Sequence, residues 1–134
     1  MSYALSTTLH TTFDEAVERT RKALADQGFG VLTEIDMKTT LKAKLGEDIE
    51  DYLILGACNP PLAHRAVSAD RQIGLLLPCN VAVRAGADAD TVIVDAMDPQ
   101  VMVQLSDGPG IGEVAAEAAA KLQAALDALA DERR

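Results

Sequence analysis

Apolar positions along this 134-residue chain change period several times, and each change marks an element. Tyr3 to Leu9 alternates weakly and is rich in Ser and Thr, which predicts a first strand. Thr12 with Glu15 three residues on is a capping-box pattern. Behind it Phe13, Ala16, Val17, Thr20, Ala23 and Leu24 recur at helical spacing. Gly28 ends that helix as a left-handed cap, with Phe29 placed to fold back on the last turn. Gly30 to Met37 reads as a second strand with Val31, Thr33 and Ile35 on one face. Lys38 to Leu45 reads as a short helix closed by Gly46.

Tyr52 to Cys58 is a continuous apolar run, the pattern of a strand buried on both faces. Asn59 is an N-cap and Pro60 takes the first helical position, where its missing amide costs nothing. Leu62, Ala63, Ala66 and Val67 form the inward stripe of that helix. Ile73 to Ala85 reads as one long strand interrupted at Pro78, which implies a bulge or a sheet edge there. Gly86 to Asp90 is a hairpin loop, and Thr91 to Met97 is the return strand. Asp98 and Pro99 begin a short helix or turn. After the breaker Ser106-Asp107-Gly108-Pro109-Gly110, residues Ile111 to about Ala130 carry the stripe Val114, Ala118, Leu122, Ala125 and Leu129. Two adjacent hairpin strands without a crossover place the chain in the α+β class, as a single domain over 1–134.

Composition narrows the functional classes. Apolar residues make up 49% of the chain, which excludes a disordered tail. Two Phe, two Tyr and no Trp leave few platforms for stacking bases. The net charge of −9 argues against phosphate-backbone partners, so no nucleic acid is expected. Lys38, Lys42 and Lys44 form one small basic cluster, expected to meet acidic neighbours within the chain. The N-terminus lacks the pattern of a signal peptide, and no stretch nears the ~20 apolar residues of a membrane span. The expectation is a cytoplasmic protein, with no membrane partner and free thiols.

The candidate chemistry lies at two places where an apolar run stops at a thiol and an amide. They are Leu53-Ile54-Leu55-Gly56-Ala57-Cys58-Asn59-Pro60 and Leu75-Leu76-Leu77-Pro78-Cys79-Asn80. Cys58, Asn59, Cys79 and Asn80 are therefore the candidate ligand-binding residues. The 21-residue separation of the cysteines is neither a Cys-x-x-Cys redox motif nor a zinc knuckle. Soft ligands nearby in type are His10, His64, Met97 and Met102, so a soft metal remains open beside a small molecule. Cys58 precedes the N-terminus of a capped helix, whose dipole favours a thiolate, so Cys58 is expected to react before Cys79. An antiparallel pairing is expected to hold the two cysteines several residues apart, too far for a disulfide.

Taken together, Gly56-Ala57-Cys58-Asn59-Pro60, the Ala-rich helix after it, Leu76-Leu77-Pro78-Cys79-Asn80-Val81, and Asp98-Pro99 with Met102 resemble the domain of unknown function 302 family. The resemblance runs from Tyr3 to about Leu129. It implies a mostly antiparallel curved sheet with helices packed on one side, similar to a TATA-box-binding-protein half-repeat. It also implies a homodimer, whose surface is expected to include the sheet edge near Pro78 or a helix face. It implies no established activity, catalytic residue or cofactor. Three functions stay open: a non-enzymatic ligand- or metal-binding accessory protein, a thiol redox protein or enzyme using Cys58, and a structural dimer module with inert cysteines.

Overall fold

Capping and periodicity set the local structure. The computed structural model describes residues 2–132. Five strands form one antiparallel sheet: β1 (Ala4–His10), β2 (Gly30–Asp36), β3 (Tyr52–Cys58), β4 (Cys79–Ala85) and β5 (Thr91–Met97). Five helices accompany them: α1 (Phe13–Asp26), α2 (Met37–Leu45), α3 (Pro60–Ala69), α4 (Val101–Leu105) and α5 (Ile111–Glu132). The sheet order is β1-β5-β4-β3-β2. The class is α+β, as the hairpin pattern implied.

The caps act as expected. Thr12 accepts a hydrogen bond from the Glu15 amide at 3.2 Å and opens α1. Gly28, at φ +85°, closes that helix, and the Phe29 amide reaches back to the Leu24 carbonyl at 2.9 Å. Thr20 is a polar residue on the buried face of α1, satisfied within its own helix by donating to the Ala16 carbonyl at 2.7 Å. Gly46, at φ +71°, ends α2.

Core residues alternate along the central strands. Leu53, Leu55 and Ala57 of β3, Cys79, Val81 and Val83 of β4, and Val92, Val94 and Ala96 of β5 share one face of the sheet. Against them pack the buried stripe of α1 and the C-terminal half of α5, including Leu122 and Leu129. Burying each such leucine stabilises the fold by roughly 1.5–3 kcal/mol. A second core lies beyond the sheet. It joins Leu62 and Ala66 of α3, Ile73, Met102 of α4, and Ile111, Val114 and Ala118 of α5. The long helix α5 therefore serves both cores, one with each half.

Four expectations are corrected. Residues Arg71–Leu76 form a short 3-10 helix rather than the start of a long strand. A short apolar run has no period that separates strand from helix. Pro78 then sits immediately before β4, the middle strand, so it marks neither an edge nor a bulge. The bulge lies in edge strand β2, between Val31 and Thr33. The extra residue there puts Val31 opposite Ala57 on the core side, while Thr33 and Ile35 oppose Gly56 and Ile54 on the other face. Finally, β3 is fully buried on one face only: on the other, Gly56 is buried but Tyr52 and Ile54 stay partly exposed, because no helix of the main core covers them.

Candidate functional site

Where the two cores meet, their surfaces do not interdigitate completely. The gap is a cavity of about 270 Å³. Phe29, Ala57 and Cys79 wall it from the sheet core, and Leu62, Ala66, Met102, Val114 and Ala118 from the second core. The remaining wall residues include Leu32, Cys58, Asn59, Ala63 and Pro78. Leu32 is 68% exposed, and Cys58, Ala63 and Pro78 are partly exposed, which marks this side as the mouth. Of the fourteen residues that line the space, only Cys58, Asn59 and Cys79 carry a side-chain thiol or amide.

The register brings the two cysteine motifs together. Ala57 pairs with Cys79 and Gly56 with Asn80. Cys58 thus lies one residue beyond the partner of Cys79, not several residues away as the spacing suggested. Close approach of the strands there depends on Gly56. A Cβ on Gly56 would sit 2.9 Å from Cγ of Pro78 and would overlap the Thr33 hydroxyl.

The four candidate residues have different surroundings. Cys79 is 7% exposed. Burial, and secondarily the nearby Cys58, pushes its thiol up to about 11. Cys58, the last residue of β3, is partly exposed at the mouth. Asn59 is 8% exposed and works structurally. Its Oδ1 accepts from the Leu62 amide at 3.4 Å, and its Nδ2 donates to the Gln27 carbonyl at 3.3 Å, tying the start of α3 to the end of α1. Gly28 makes room for it, since a Cβ there would lie 3.0 Å from Nδ2. One Nδ2 hydrogen has no partner among the described residues.

Asn80 does not join this group. Successive strand residues point to opposite faces, so Asn80 is exposed on the open face, in a broad groove with Tyr3, Tyr52 and Ile54. Across that groove Arg84 donates to Asp95 at 3.1 Å, and the Ser6 hydroxyl donates to the same carboxylate at 2.5 Å. The alternation of Val81 and Val83 with Ala82 and Arg84 was a signal that could have separated Asn80 from Cys79. Leu32 carried no such signal, because its position at the mouth comes from the bulge.

The other candidates also find places. Met102 reaches the cavity, whereas Met97 lies in the open-face groove. His10 and His64 are exposed. Among the described residues no group of three or more His, Cys, Asp or Glu side chains is placed to hold a metal ion. The basic cluster meets acidic neighbours: Lys38 lies 3.3 Å from Asp51, and Lys42 lies 3.2 Å from Asp48. No described helix is long and apolar enough to cross a membrane.

The sequence profile of the domain of unknown function DUF302 matches residues 5–129, nearly the whole chain. The chain belongs to the DUF302 family. A solved relative agrees: the crystal structure of an uncharacterized conserved DUF302 protein from Bacillus stearothermophilus superposes with a TM-score of 0.81. The two chains are 27% identical, and each is covered over 100% of its length. No curated protein matches the chain. Membership in DUF302 fixes the fold and carries no activity with it.

Proposed function

We propose that this DUF302 protein is a non-enzymatic binding protein for a small, mainly apolar molecule held in the cavity between its two cores. The observation that carries this is the wall chemistry. The space is lined by apolar side chains, with Cys58 at the mouth and the buried Asn59 amide as polar anchors. Binding pockets commonly combine an apolar wall with a few placed polar groups. A cavity of about 150 Å³ takes benzene. By proportion, the 270 Å³ here suits a ligand of roughly ten non-hydrogen atoms. The ligand-binding residues are then Cys58, Asn59 and Cys79, and Asn80 drops out of the set.

The same reading takes the protein to be cytoplasmic, where a reducing environment keeps both cysteines of the ligand-free protein as thiols. It excludes nucleic acid, since a net charge of −9 repels phosphates.

A fluorescent apolar probe tests it. The chain has no tryptophan, so the emission of 2-naphthol is read against a low background. Saturable binding with one site per chain is expected in the native protein. Ala63→Phe, which fills the mouth, should weaken it at least ~10-fold, the effect of excluding about two buried methylenes. Ala63→Ser should leave it unchanged. Full binding by the Ala63→Phe protein would refute the assignment of the cavity.

A further inference from the structure

We infer, resting on the cavity reading above, that Cys58 is a covalent anchor: the protein captures compact apolar groups as mixed disulfides, with the sulfur at the mouth and the apolar body in the cavity. Three observations converge on this. Cys58 is a partly exposed thiol on the rim of a cavity whose wall, apart from Asn59 and Cys79, is apolar. A group attached there has the interior as its nearest apolar surroundings. The mouth is flanked by Leu32, which the bulge in β2 leaves 68% exposed beside the opening. That gives an incoming apolar group a first contact outside the cavity.

The third observation concerns the other thiol. The usual fate of a mixed disulfide is attack by a second thiol nearby. Cys79 is the chain's only other cysteine, and it is poorly suited to that attack. It is 7% exposed, and its thiol holds its proton up to about pH 11. An adduct on Cys58 is therefore protected from internal displacement. Cys79 is also a buried thiol with no hydrogen-bond partner among the described residues, facing the same cavity. It offers a polarisable surface to the sulfur-bearing end of such a ligand.

The step balances as thiol–disulfide exchange. The Cys58 thiolate attacks one sulfur of an organic disulfide RS–SR′. The S–S bond of the disulfide breaks as the bond from Cys58 to RS forms. R′S⁻ leaves with the electron pair and takes up a proton from solvent, matching the one Cys58 released. The organic disulfide is the oxidant, and the Cys58 sulfur is oxidised. An external thiol reverses the exchange and frees the ligand.

Two 2-pyridyl disulfides with the same leaving group test the inference. One carries a benzyl group and the other a carboxyethyl group. Release of pyridine-2-thione gives the rate, and peptide mass spectrometry gives the site. The benzyl compound is expected to label Cys58 at least ~10-fold faster, as burial of a few carbon atoms supplies. That preference should vanish in Ala63→Phe, and the Cys58→Ser protein should form no adduct at position 58. Equal rates for the two compounds, labelling of Cys79 first, or a preference that survives in Ala63→Phe would each overturn covalent capture. The cavity reading stands or falls separately, on whether the unmodified native protein binds 2-naphthol and Ala63→Phe weakens that binding.

Discussion

Unfolding should raise the alkylation rate of Cys79 by at least ~100-fold at pH 8. The perturbation is simply the loss of its surroundings. In the fold, burial and then the neighbouring Cys58 raise its thiol from the ordinary 9.0 to about 11. At pH 8 that lowers the reactive thiolate from about 10% of the population to about 0.1%. The factor of ~100 comes from ionisation alone, and 7% exposure adds a steric barrier. Pulsed iodoacetamide labelling, in native buffer and in urea, followed by mass spectrometry of the two cysteine peptides, gives both rates. Cys58, partly exposed at the mouth, is the internal reference and should be labelled first in the native protein. A native Cys79 rate within tenfold of the unfolded rate would refute the burial argument. The same shift has a thermodynamic consequence. The folded state holds the proton more tightly than the unfolded chain does, so the stability it contributes is fully present below pH 9. It is lost as pH rises from 9 through 11, by about 3 kcal/mol in all. Urea denaturation of the wild type and of Cys79→Ala across that window should show the wild type losing more stability.

Two further outcomes follow from other parts of the fold. Gly56→Ala should destabilise by about 1–3 kcal/mol, because its Cβ would lie 2.9 Å from Pro78 and overlap Thr33. Calorimetry should show the melting temperature falling by roughly 3–12 °C, and a melt equal to wild type would contradict the close packing. Self-association should run through the open sheet face, where among the described residues Arg84 and Asp95 are the only charged side chains of the groove and cancel, although the chain carries −9. Sedimentation should give a dimer that Ile54→Asp dissociates, and a wild-type monomer at micromolar concentration would remove the proposal.

What could be read from the residues was what is encoded locally. The capped start of α1 at Thr12, the Gly28 stop, the run Tyr52 to Cys58, the Asn59-Pro60 start of α3 and the stripe of α5 all depend on contacts a few residues apart. All are found where the patterns put them. The failures share a different cause. Ile73, Leu75 and Leu76 are apolar in either conformation, and the helical form of Arg71–Leu76 follows from Ile73 packing in the second core while Leu75 stays 87% exposed. The bulge beside Leu32, the central place of β4 and the register that brings Cys58 near Cys79 are all set by strand pairing across the sheet. The candidate site was legible in part for the same reason. Cys58, Asn59 and Cys79 were marked by their own sequence context, but the cavity that joins them belongs to two cores no single segment contains.

The size of the wall residues explains why that cavity exists at all. Ala57 of β3, Ala63 and Ala66 of α3 and Ala118 of α5 line it, at positions where leucine would fill part of the gap. In a closed core an unfilled volume costs about 24 cal/mol per Å³. An open mouth reduces that cost, since solvent can enter, but the wall is too apolar to hold water well. The arrangement is therefore less stable than a filled core of the same topology. Natural proteins commonly give up stability in this way at sites that must stay open. The sequence could fill the space with a single larger side chain, and it instead places small residues on the strand end and on two helices. A gap left by chance mispacking would call for nothing at its mouth. Here the strand ends at the opening in a thiol, the amide that follows it has one hydrogen without a partner among the described residues, and the neighbouring strand bulges to set a leucine beside them. Emptiness and chemistry coincide at one point of the fold, which is the physical reason for placing the function there.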